Sequence, residues 1–146
     1  MTPPGDEQAK RPKHELVKES SRGLRGTLAQ ELERASDAFT PDDAALLKFH
    51  GAYQQDDRDV RRQRHAGTST ADKKHIFMVR TKAPGGRLTA GQLAAELDLC
   101  DRFGNGTLRI TTRQGLQLHG VVKGNLWETI HRINAAMLTT LGACGD

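Results

Sequence analysis

The sequence predicts an α+β fold: a ferredoxin-like split βαββα half-domain that lacks its last strand, preceded by a helical and irregular N-terminal extension. Three observations predict it. Ile76–Val79 is a short continuous apolar run of the kind that forms a buried strand, and Thr89 with Gln92 makes a capping box that opens an amphipathic helix. The third is the stretch Asn105–Gly120, NGTLRITTRQGLQLHG, which alternates in polarity with period two. There Leu108, Ile110, Leu116 and Leu118 share one parity, while Arg109, Thr111, Arg113, Gln117 and His119 share the other. Successive strand side chains point to opposite faces, so the pattern describes two strands with a greasy face and a cationic, hydrogen-bonding face.

In chain order, residues 1–13 are rich in Pro, Lys and acids with few large apolar groups, which reads as a disordered tail. Residues 14–72 form the extension. Leu16, Leu24, Leu28 and Leu32 recur at helical spacing, and Gly23 and Gly26 break the helix near Ser20–Gly26. Its composition suits a surface helix lying across a larger body. Thr40-Pro41-Asp42-Asp43 is a second start signal, with Thr40 as N-cap and a turn or two ending near Leu47. The run KFHGAYQQDDRDVRRQRHAG follows (48–67), a charged stretch whose Tyr53-Gln54-Gln55 reads as a segment that hydrogen-bonds within a larger structure. Gly67–Asp72 is a flexible connector.

The half-domain spans 73–146. Its first strand ends at Arg80-Thr81-Lys82 and turns at Ala83–Gly86. The helix opened by Thr89 carries the stripe Leu93, Leu97, Cys100 and Phe103, and Gly104 stops it. Strands follow at about 106–111 and 115–122, and their shared odd parity requires a three- or five-residue turn around Thr112–Gln114. Asn125 and Glu128 cap a last helix with the stripe Leu126, Ile130, Ile133, Met137 and Leu141. A final strand would complete the split βαβ layout, but the sequence stops at Asp146.

A net charge of +4 and a pI near 9.3 favour an anionic partner. The N-terminus lacks the apolar core of a secretory signal and no apolar run is long enough for a bilayer, so the expected compartment is the cytoplasm. Cys100 and Cys144 form no CxxC pair, and the histidines at 14, 50, 65, 75, 119 and 131 have no paired spacing; no metal ligands are assigned. Ala83–Gly86 lacks a phosphate-loop pattern. An RNA-recognition sheet would carry stacking aromatics on its central strands, and these strands carry none, so nucleic acid is disfavoured. What remains is an anionic ligand lying flat on the sheet, a large ring with carboxylates at its edge. The competing reading pairs Arg109 and Arg113 with acids elsewhere in the chain.

LRITTRQGLQLHG resembles the siroheme-contacting strand pair of the siroheme-dependent sulfite and nitrite reductase family, with its R-x-T-x-R-Q-x-x-Q-x-H pattern. Upstream, LKFHGAYQQDDRD resembles the N-terminal signature of the family's sulfite-reducing branch. Arg25-Gly26-Thr27, Glu31-Leu32 and His75–Gly86 fall in matching order. The resemblance implies that Arg109, Thr111, Arg113, Gln117 and His119 hold the siroheme carboxylates and ring edge, and that Arg80 faces the substrate oxyanion as a catalytic residue. It implies six-electron reduction of sulfite to sulfide in sulfur assimilation, a 4Fe-4S cluster whose ligands lie outside this chain, and an electron donor that is ferredoxin or an NADPH-linked flavoprotein. By this reading the chain is an N-terminal portion, inactive alone. The alternatives are a nitrite-reducing counterpart and a stand-alone ferredoxin-like module for an acidic ligand or RNA.

Overall fold

The computed structural model describes residues 11–57, 60 and 73–144. Most of the expected N-terminal tail, most of the charged run after Asp57 and the connector Gly67–Asp72 lie outside them. In chain order the elements are α1 (Lys13–Ser20), α2 (Leu28–Glu33), α3 (Pro41–Phe49), β1 (Ala52–Asp56), β2 (His75–Thr81), α4 (Ala90–Phe103), β3 (Leu108–Ile110), β4 (Leu116–Val121) and α5 (Leu126–Ala135). The sheet runs in the order β1-β2-β4-β3, every neighbour antiparallel.

α1 and α2 are separate helices, interrupted where Arg22, Gly23, Leu24 and Gly26 adopt positive φ. α1 buries no residue, as a helix lying on the surface should. Asp43 ties the interruption to α3: its carboxylate accepts from Thr27 N at 3.1 Å and from the Thr27 hydroxyl at 2.5 Å. Thr40 caps α3 by accepting from Asp43 N, and the helix continues past Leu47 to Phe49.

The core lies between one sheet face and the helices. Phe77 and Val79 of β2, Leu118 and Val121 of β4, Leu99 and Cys100 of α4, and Leu126 and Ile133 of α5 pack together, with Leu47 and Phe39 closing one end. Phe39 meets Phe77 edge to face, ring centroids 5.6 Å apart, an arrangement that suits the opposed charges of ring edge and ring face.

No strand follows α5 among the described residues, and the edge of β2 away from β4 is paired from upstream. Ala52–Asp56 pairs with His75–Val79, Ala52 opposite Val79 and Asp56 opposite His75. The Arg80 N–H then donates to Gly51 O, and the Lys82 N–H, which by alternation leaves β2 on the same edge, donates to Thr139 O; both distances are 2.8 Å. One edge of β2 is thus shared by β1 and the segment after α5. The sheet crosses the 72/73 boundary at which the extension was expected to end.

Three expected stripes are corrected. On α4 the buried residues are Glu96, Leu99 and Cys100, while Leu93 and Leu97 are exposed; the helix is rolled so that a carboxyl faces inward. Ile110 is 77% exposed, because β3 lies at the sheet edge and extends beyond the cover of the helices. α5 ends at Ala135, where Met137 turns to φ +60°, so Met137 and Leu141 leave the stripe for solvent. Nor does Asn125 cap α5 through its side chain: a 3-10 turn at Lys123–Asn125 leads directly into the helix. Between β3 and β4 the loop Thr111–Gly115 has five residues, and Gln114 sits at φ +57°.

Candidate functional site

The sheet face away from the core presents a row of polar side chains. Across β2, β4 and β3, Arg80 pairs with Gln117 and Gln117 with Arg109, so alternation sends all three to the same side. His119 joins them two residues along β4. A bulge follows it: Val79 faces Leu118 but Phe77 faces Val121, so β4 has one more residue than β2 in this interval. Gly120 takes up the extra residue at φ +81°, and a Cβ there would lie 3.0 Å from Asn105 Cβ. The bulge returns Val121 to the core while leaving His119 on the polar face.

The Gln117 amide is oriented by its neighbours. Turned with its oxygen toward Arg80, it accepts from Nη2 at 2.5 Å and from Nε at 3.0 Å. Its other terminus then lies 3.3 Å from His119 Nε2. Burial, followed by the Arg109 and Arg80 guanidinium groups, holds the His119 imidazole below its ordinary pKa and so neutral. Among the described residues, no carboxylate pairs with Arg80, Arg109 or Arg113. The reading in which Arg109 and Arg113 neutralise acids elsewhere in the chain therefore finds no such acid among the described residues.

Two expected members of the face do different work. The Thr111 hydroxyl accepts from Gly115 N at 3.0 Å and closes the β3–β4 turn. Arg113 lies in that turn, where strand alternation no longer governs direction, and its Nη2 donates to Cys144 O at 3.1 Å. Both residues line a cleft of about 370 Å³ at the end of the sheet, together with Thr81, Lys82, Pro84 and Gly85. Lys82 is the cation that sequence reasoning missed. It stands two residues after Arg80 on the same strand parity, so period-two counting carried past the turn signal would have found it.

The donor set suits a flat polyanion. Guanidinium forks at Arg80 and Arg109 lie in one row, Arg113 and Lys82 line the adjoining cleft, and a neutral imidazole stands beside the row. Among the described residues none of these cations pairs with an acid, so a ligand's carboxylates would face donors already aligned by the sheet. Cys100 is enclosed in the core, where burial and then Asp101 and Glu96 push its thiol pKa up. A thiol held protonated among apolar neighbours is a packing group.

Residues 70–136 match the family model described as the nitrite/sulfite reductase ferredoxin-like half domain. Over 133 residues, 90% of this chain, the sequence is 50% identical to the NADPH sulfite reductase hemoprotein beta-component of Shouchella clausii. It is 50% identical over the same length to the protein of that name from Myxococcus xanthus, and 48% to that from Geobacillus kaustophilus. The chain spans 23% of the length of each of these relatives. Among solved structures, the Mycobacterium tuberculosis NirA protein superposes with a TM-score of 0.70 at 25% identity, over 90% of this chain and 25% of that one.

Proposed function

Residues 70–136 are a nitrite/sulfite reductase ferredoxin-like half domain, and on that premise we propose that this chain forms the siroheme-edge portion of a sulfite reductase hemoprotein. The complete protein would reduce sulfite to sulfide with six electrons and carry a 4Fe-4S cluster held outside this segment. Sulfite is preferred to nitrite because relatives about half identical to the chain are named for sulfite. NADPH in those names favours a flavoprotein fed by NADPH over ferredoxin as the electron donor.

One observation carries the proposal: the aligned row Arg80–Gln117–Arg109, whose guanidinium groups have no carboxylate partner among the described residues. When bound, siroheme supplies the iron at which sulfite is reduced. Arg109 on the face, with Arg113 and Lys82 at the cleft, would hold its ring carboxylates through charge-assisted hydrogen bonds. His119, kept neutral, contributes hydrogen bonding rather than charge. Arg80 supplies a fixed positive charge that offsets repulsion between the sulfite oxyanion and an electron-rich ring.

The test replaces the corresponding segment of the Shouchella clausii hemoprotein with this chain and assays siroheme content with sulfite and nitrite turnover. The expected result is a siroheme-containing protein that turns over sulfite faster than nitrite. Arg80→Ser should keep the siroheme while losing roughly a hundredfold or more in turnover, the usual cost of a lost charge-stabilising donor. Unchanged turnover in Arg80→Ser, or loss of siroheme from the unsubstituted hybrid, would overturn the assignment.

A further inference from the structure

We propose that Gln117 is a positioning residue that polarises the face in one direction, fixing the Arg80 guanidinium through its amide oxygen and the His119 tautomer through its amide nitrogen. This deepens the reading above, since it rests on Arg80 and His119 belonging to the ligand face. Its geometry is nevertheless internal to the chain.

A guanidinium has five N–H donors and no acceptor, so whatever Arg80 touches must offer an oxygen or a lone pair. Two of the five, on Nη2 and Nε, converge on the Gln117 amide oxygen at 2.5 Å and 3.0 Å. That fixes one edge of the planar group and leaves the Nη1 donors and the second Nη2 hydrogen for a ligand. With its oxygen committed, the amide can offer only its NH2 to the other side, where His119 Nε2 lies at 3.3 Å. An NH2 group needs an acceptor, and Nε2 is an acceptor only in the neutral ring that carries its proton on Nδ1. The surroundings point the same way: burial disfavours imidazolium most, and Arg109 on β3 and Arg80 on β2 add to it.

The three groups are therefore coupled. If His119 were protonated at Nε2, its N–H would face an amide NH2; turning the amide would present NH2 to the Arg80 donors instead. Either arrangement opposes two donors. A charged His119 and a held Arg80 exclude one another, and His119 is not a proton store for the reaction near neutral pH. It is a neutral donor through Nδ1–H, and positive charge on this row comes from the arginines alone.

The experiment is nitrogen NMR on the isotopically labelled 146-residue chain, reading the His119 tautomer and titration and the exchange of Arg80 Hε with water. The unsubstituted chain should show His119 with its proton on Nδ1, a pKa below the ordinary histidine value and slowed Arg80 Hε exchange. Gln117→Leu should move the proton to Nε2 and release Arg80 to fast exchange. Gln117→Glu separates the two functions: its carboxylate still accepts from Arg80, so slow exchange persists. It cannot donate to His119, so Nε2 becomes protonated and the His119 pKa rises. A purely structural role would not make these two signals move apart. A proton on Nε2 in the unsubstituted chain, or a tautomer unchanged in both variants, would overturn the proposal. Neither readout needs a tetrapyrrole, so failure of siroheme binding leaves the relay result standing and the two failures are told apart.

Discussion

Glu96 shows how one residue can run against its surroundings. It is 1% exposed on the inner face of α4, and burial raises its carboxyl pKa; contact with the Thr81 hydroxyl works the other way. Neither group completes a well-formed hydrogen bond, so the acid is disposed to stay protonated in the folded chain. The native state then holds a proton that the unfolded chain releases above the ordinary glutamate range, so stability falls as pH rises through the gap between the two pKa values. Glu96→Gln should abolish that slope, leaving stability at pH 5 little changed and raising it at pH 8 by about 1–3 kcal/mol. Urea melts at the two pH values read this directly, and equal slopes in both proteins would reject it. Of the polar face, Arg109, Gln117 and His119 were legible because strand alternation is a local rule that the sheet obeyed. Alternation did not extend to Arg113, since a turn residue has no parity and its guanidinium reaches Cys144 O, and the turn-closing bond of the Thr111 hydroxyl is not visible in a polarity pattern. The bulge at His119–Gly120 left only a glycine as its trace.

Among the elements, β1 was the least legible. Ala52 is buried, but its neighbours are Tyr53, two glutamines and an aspartate, so no apolar pattern announces a strand. It forms because β2 offers an unpaired edge, and backbone pairing of that kind leaves no side-chain signature. Gly51 is its hinge. At φ +80°, an added Cβ would lie 2.3 Å from Thr140 O and 2.9 Å from Arg80 O, both backbone atoms that cannot yield cheaply. Gly51→Ala should therefore cost roughly 2 kcal/mol or more, from the strained φ and the displaced segment together. The expected signature is a lower Tm with faster hydrogen exchange at the Arg80 amide, which donates to Gly51 O. An unshifted melt would show that β1 contributes little to the fold. The helix predictions succeeded where a cap set the boundary, as at Thr40 and Thr89. They failed where rotation about the axis or a positive φ decided burial, as at Leu93, Leu97 and Met137.

At the scale of the whole molecule, one sheet separates two environments, an apolar face filled by helices and a polar face whose arginines have no carboxylate partner among the described residues. The split follows from period-two alternation, which is why the two faces could be read from Asn105–Gly120. No helix among the described residues is long and apolar enough to cross a membrane. Because the attraction to a polycarboxylate is partly exposed to solvent, binding should weaken as ionic strength rises and the Debye length contracts. The central claim is that this face receives a carboxylate-rich ring, and titration of siroheme into the 146-residue chain, followed by absorbance, tests it most directly. Binding should be saturable and weakened roughly ten- to a hundredfold by Arg109→Ala, the loss expected for one charge-assisted arginine–carboxylate contact. Absence of binding, or equal affinity in Arg109→Ala, would contradict it.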